Sequence, residues 1–130
     1  MNRPLPTAHA PAVPPRRHGL PHLWDATRYS LAGLARLLQE AAARLELAGA
    51  ALGAVALALH GASSLQWAVY AALCAAVLVV EALNTALEIL TDRVSPEWSM
   101  AAKQAKDLGS LAVALMVMIT LGHVLWVVMA

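Results

Sequence analysis

Charge is scarce in this chain. Charged side chains make up 13% of its 130 residues, against about 25% in ordinary soluble domains. Hydrophobic residues reach 60% and the mean hydropathy is +0.63, so the composition is that of a membrane protein. Cysteine occurs once, at Cys74, which excludes an internal disulfide or a zinc knuckle. Its neighbours Leu73 and Ala75 mark it as a small packed hydrophobe rather than a reactive thiol. A net charge of +1, without a basic patch interleaved with aromatics, argues against nucleic-acid binding. Also missing are the Gly-x-x-x-x-Gly-Lys-Ser/Thr phosphate loop, His-Glu-x-x-His and the dinucleotide glycine fingerprint.

What is present is organised in blocks. Six of the seven prolines fall within residues 1–21, together with Arg3, Arg16, Arg17 and His18. Such a segment holds no helix and buries little, so residues 1–22 read as a disordered tail. Arg16-Arg17 does not read as an export signal, because no continuous apolar stretch follows it. Residues 25–46 carry Leu31, Leu34, Leu38, Ala41, Ala42 and Leu45 at intervals of three and four. Arg28, Arg36, Glu40, Arg44 and Glu46 occupy the other side. This pattern predicts one amphipathic helix, capped by Asp25 or Thr27, lying on a membrane surface or capping the protein on its soluble side. Three apolar segments follow, about 47–60, 65–92 and 97–129, with a polar turn at 60–64. Residues 65–80 and 108–130 hold no charge and reach about 24 and 34 Å as helices, against a hydrocarbon core of about 30 Å.

The expected fold is therefore an all-α membrane protein, with a domain over 23–130 built of a surface helix and three transmembrane helices. Lys and Arg cluster before the first span and at 93–106, and are absent from 60–64. The positive-inside rule puts the N-terminus and the 93–107 loop in the cytoplasm. His60 and His123 stand apart from the charged cluster and read as structural.

The second span changes character at its end. At 100° per residue, Glu81, Asn84, Glu88 and Asp92 share one helical stripe. Ionisable groups at membrane depth mark a functional site by default. Pro96 is expected to open the third helix with Ser95 as its cap. That helix then presents Lys103, Lys106, Asp107 and Ser110 on one side. Carboxylates beside lysine at a lipid–water boundary suit phosphate chemistry. Magnesium takes hard oxygen ligands and usually only one or two protein carboxylates, and lysine neutralises phosphate oxygens. Glu81, the deepest acid, is the best-placed base. Glu88, about 10 Å further along the helix, is better placed to hold a metal with a nucleotide. The bland alternative is a structural network, with Glu88 paired to Lys103 or Lys106 and Asp92 to Arg93 or Arg28.

The segment Glu81-Ala-Leu-Asn-Thr-Ala-Leu-Glu88, followed by Asp92-Arg93, closely resembles the signature of the small integral-membrane diacylglycerol kinases of bacteria. Ala105-Lys106-Asp107-Leu108-Gly109-Ser110 resembles the same family, as do Tyr29-Ser30, Gly33-Leu34 and Glu40-Ala-Ala-Ala-Arg44-Leu-Glu46. The resemblance covers residues 24–130. It implies a homotrimer in the bacterial inner membrane, with active sites shared between subunits and facing the cytoplasm. The implied reaction carries the γ-phosphate of ATP to diacylglycerol, giving phosphatidate.

By the same resemblance, Glu81 is the general base, and Glu40 and Glu88 hold Mg2+. Tyr29, Glu40, Asn84, Glu88, Glu97, Trp98, Ser99, Lys106 and Asp107 contact ATP. Glu81, Ser110, Arg44 and Glu46 line the lipid side, with Asp92 and Arg28 in supporting places. The chain departs from the family pattern between Gly33 and Glu40, which is one residue shorter, at Leu45, where relatives carry Gln, and before Trp24, where a family arginine is missing. Arg28 and Arg17 are the candidates to replace that arginine. Trp98 suits either adenine stacking or a bilayer-interface anchor. Three other readings compete: a kinase for undecaprenol or another isoprenoid alcohol, a small ion or proton transporter, and an inert assembly subunit. A transporter would place acids on both sides of the midplane, whereas here they gather at one boundary.

Overall fold

The computed structural model describes residues 19–130; the tail expected over 1–22 lies almost wholly outside the described residues. The chain divides into two compact units, Met1–Ala32 and Gly33–Ala130. Among the described residues it is all helical: α1 (Leu20–Leu37), α2 (Ala41–Leu59), α3 (Ser64–Val94) and α4 (Met100–Met129). Helix α1 straddles the division.

The amphipathic segment expected over 25–46 is two helices. Helix α1 starts at Leu20, directly after Gly19 in the left-handed region (φ 77°). Thr27 is no cap: its Oγ1 donates to the Leu23 carbonyl one turn back, a habit of hydroxyls inside helices. At the other end the amides of Gln39 and Glu40 bond to Arg36 and Leu37, tightening the last turn. Glu40 then adopts an extended backbone (φ −72°, ψ 137°) as the N-cap of α2. Neither Gly nor Pro marks this break, and the apolar spacing runs straight through it. Residues 41–46 therefore belong to the first long apolar helix.

Helix α2 ends in a left-handed turn. Gly61 (φ 66°) follows the C-cap His60; the Gly61 amide bonds to Ala58 at 3.3 Å and the Ala62 amide to Leu57 at 3.0 Å. These two reversed bonds satisfy the orphan carbonyls of the last turn, a geometry that favours glycine. Ser63 and Gln66 then form a reciprocal capping box that opens α3. The α3–α4 connection departs from expectation. Ser95 closes α3 through its amide to Thr91, since a residue before proline is pushed out of helical geometry. Pro96 stays in the loop. Ser99 is the cap of α4, accepting the Ala102 amide at 3.2 Å, so this helix begins at Met100 rather than near residue 97.

Helices α2, α3 and α4 run 19, 31 and 30 residues, about 28, 46 and 45 Å. Each is long and apolar enough to cross a bilayer. Helix α4 packs most extensively along α3, and α2 lies against both. The buried stripe of α3 is Tyr70, Val77, Glu81 and Thr85, a helical repeat with one acid in it. At the far end Leu57, Tyr70 and Val127 form the core, with Cys74 and Val124 partly buried beside them. Gly53 lets the Tyr70 ring cross α2, since a Cβ there would stand 2.3 Å from the phenolic oxygen. That hydroxyl donates to the Ala50 carbonyl at 2.6 Å. His123 stacks on Tyr70 with its Nε2 3.0 Å from the Gln66 carbonyl, so its surroundings are structural. Most other apolar side chains of these three helices face outward, as lipid contact requires.

Candidate functional site

Helix α3 carries Glu81 on its buried stripe, only 3% exposed. One turn on, the Asn84 Nδ2 donates to Glu88 Oε1 at 3.3 Å. Glu40, at the start of α2, and Glu88 both act electrostatically on Glu81. Glu81 in turn acts on Glu46, one turn and a half into α2. Three carboxylates, Glu40 and Glu46 from the start of α2 and Glu88 from α3, therefore lie within electrostatic range of the one buried acid, so the expected base and both expected metal-holding acids share one neighbourhood.

Positive charge reaches the neighbourhood from α4 and α1. Lys106 crosses from α4 to pair with Asp92 on α3, and Lys103 pairs with Asp107 one turn on. Glu88 pairs with neither lysine, and Asp92 is held by Lys106 rather than by Arg93 or Arg28. Arg36 pairs with Glu40. Its role was legible in the four-residue spacing, although the resemblance assigns it none. A hollow of about 310 Å³ lies beside these groups, lined by Asp92, Glu97, Trp98, Ser99, Lys106 and Asp107. Trp98 stands 78% exposed at its rim. An apolar groove of about 550 Å³ opens next to Glu46 between α2, α3 and α4, and runs to Tyr70.

The remaining expected residues are placed less centrally. Arg44 is exposed and donates to the Gln39 carbonyl at 3.1 Å, bracing the α1–α2 turn. Ser110 is exposed on α4. Arg28 and Tyr29 are exposed on α1, within the other compact unit. Among the described residues no three acid, cysteine or histidine side chains stand close enough to hold a metal ion by themselves. Glu40 and Glu88 reach the neighbourhood of Glu81 from different helices, and a hard cation usually takes only one or two protein carboxylates, with water and phosphate completing its shell.

Long apolar helices with an acidic site, a facing lysine and an apolar groove define a membrane-type helical bundle built around a polar centre near one end. A family model described as prokaryotic diacylglycerol kinase matches residues 28–129, and the chain belongs to that family. Similar proteins include a diacylglycerol kinase of Sinorhizobium sp., 45% identical over 97 residues, covering 75% of this chain and 71% of the relative. One from Pseudomonas aeruginosa is 46% identical over 96 residues, covering 72% and 77%. Another, from Helicobacter pylori, is 34% identical over 101 residues, covering 77% and 79%. The resemblance drawn from the Glu81–Arg93 and Ala105–Ser110 segments is thus borne out.

Proposed function

We propose that this protein is an ATP-dependent lipid kinase that converts diacylglycerol to phosphatidate at the cytoplasmic face of a bacterial inner membrane. The observation that carries the reading is the gathering of Glu40, Glu46 and Glu88 around buried Glu81, with Lys106 on the facing helix. The groove beside Glu46 offers the lipid an apolar approach from within the bilayer. The polar hollow between Asp92 and Lys106 offers the nucleotide a place at the same end.

Glu81 takes the proton of the lipid hydroxyl as its oxygen attacks the γ-phosphorus. The bond from that phosphorus to the β–γ bridging oxygen breaks in line, and ADP departs. Glu40 and Glu88 are the carboxylates that would hold magnesium, which when bound neutralises triphosphate charge. Lys106 lends its positive charge to the phosphate oxygens. Asn84, Glu97, Trp98, Ser99 and Asp107 border the nucleotide, and Arg44 and Ser110 the lipid. Arg28 and Tyr29 of α1 are the further residues that the family resemblance assigns to this reaction. Three copies assemble, so that each site is completed by a neighbour.

The test is transfer of radiolabel from the γ-phosphate of ATP, with magnesium in detergent micelles, to diacylglycerol and undecaprenol in parallel. Label on diacylglycerol supports the reading. Label on undecaprenol alone moves the substrate to an isoprenoid alcohol, and label on neither overturns the kinase assignment.

A further inference from the structure

Within the segment 105–110, Lys106, Asp107 and Ser110 have chemical places in the proposed reaction, and Gly109 has none. Its position in the fold is nevertheless constrained. A Cβ at Gly109 would stand 2.2 Å from Asn84 Oδ1 and 3.3 Å from its Cγ. No side chain tolerates the first distance, so any substitution must displace the Asn84 amide. That amide is held from the other side, since its Nδ2 donates to Glu88 Oε1 at 3.3 Å. Its Oδ1 is buried and has no N–H or O–H partner. It lies instead against the bare α-carbon of Gly109, in the space a Cβ would occupy. Turning the amide over would set its oxygen against the Glu88 carboxylate, so the orientation is dictated by both neighbours. The same amide also reaches Glu81.

We propose that Gly109 is a positioning residue of the phosphotransfer site: the bare α-carbon on α4 seats the Asn84 amide, and the amide fixes the Glu88 carboxylate on the stripe of α3 that also carries Glu81. This role rests on the reading of Glu88 as a carboxylate that serves the nucleotide and its magnesium. Glycine here therefore does more than permit close helix packing. Leu87, at 3.8 Å from the same Cβ position, is in ordinary contact and would accept a methyl group, which leaves Asn84 as the side chain that must move.

The experiment compares the full chain in detergent with Gly109→Ala, Asn84→Ala and the double variant. It measures kcat, KM for ATP, the magnesium concentration giving half-maximal rate, and the rise in Tm produced by magnesium and a non-hydrolysable ATP analogue. Gly109→Ala is expected to lower kcat/KM for ATP by about tenfold or more, because misplacing a substrate-positioning group by about 1 Å can cost up to about a hundredfold. It should also raise the magnesium requirement and shrink the ligand-induced rise in Tm. With Asn84→Ala already present, adding Gly109→Ala should change Tm and the ligand-induced rise little, since the atom it would strike is gone. If Asn84→Ala is inactive, the Tm measurements still close this cycle. The role is overturned if Gly109→Ala keeps activity and magnesium dependence within about twofold of wild type. It is equally overturned if its effects are the same in both backgrounds, which would mark general packing. A wild-type chain inactive on both lipids would overturn the kinase reading and this role together, whereas an active wild type with additive variants overturns this role alone.

Discussion

Lys106 and Asp92 pair across α3 and α4, fourteen residues apart in sequence. The bond ties the water-facing end of the acidic stripe to the helix that carries the expected nucleotide lysine. Asp92 is 66% exposed and Lys106 39%, so the pair contributes about 0–1 kcal/mol to stability. Its larger effect is to keep the ammonium at the edge of the hollow beside Trp98.

Replacing Lys106 with Met should therefore raise KM for ATP by about tenfold or more, the loss of one charge-assisted contact to phosphate. Tm should change little. Steady-state kinetics at varied ATP, alongside thermal unfolding in micelles, reads both; an unchanged KM removes Lys106 from the nucleotide.

Glu81→Gln keeps the shape of the buried side chain and removes its ability to take a proton. Turnover should fall by about a hundredfold or more, while folding and ATP binding persist. The labelled-phosphate assay and equilibrium nucleotide binding check the two halves. A variant close to full activity would move the base to another residue.

Gly53→Ala should strike the Tyr70 hydroxyl, whose oxygen lies 2.3 Å from the new methyl position. The expected cost is about 1–3 kcal/mol, read as a lower Tm. Combined with Tyr70→Phe the added cost should be smaller, although the ring's Cζ remains 3.0 Å away. Equal costs in the two backgrounds would show that the hydroxyl is not what glycine accommodates.

Gly61→Ala places a side chain at φ 66°, outside the comfortable range of L-residues. A loss of about 1 kcal/mol is expected. Gly61→Asn should cost less, because Asn tolerates this conformation better. Thermal unfolding of the three proteins orders them.

Much of this was written in the chain. The uncharged run 108–130 announced a membrane-length helix by itself, whereas 65–80 reaches that length only with its charged continuation, as α3 does. The stripe Glu81–Asn84–Glu88 was visible from helical spacing alone, and the structure gathers it with Glu40 and Glu46. Local breaks were less legible. The α1–α2 turn at 38–40 carries no Gly or Pro, and its backbone departs from helix inside an unbroken apolar rhythm. At the last helix the sequence pointed to Ser95 as the cap, whereas Ser99 accepts the Ala102 amide and caps α4. Ser95 is instead taken up in closing α3, its amide bonding back to Thr91. Gly109 looked like part of a motif without chemistry; its meaning depends on Asn84 of another helix, a contact between residues twenty-five positions apart.

The tight turn around Gly61 has one further consequence. It sets the last turn of α2 and the first turn of α3 side by side, so the 12-residue difference in their lengths appears entirely at the opposite end, about 18 Å of overhang. Counting back from that turn, the cap of α2 comes level with the twentieth residue of α3, Leu83, two residues and about 3 Å from Glu81. The turn thus works as a ruler on one side of the bundle, and the height at which Glu40 and Glu81 meet on the other side is what it measures.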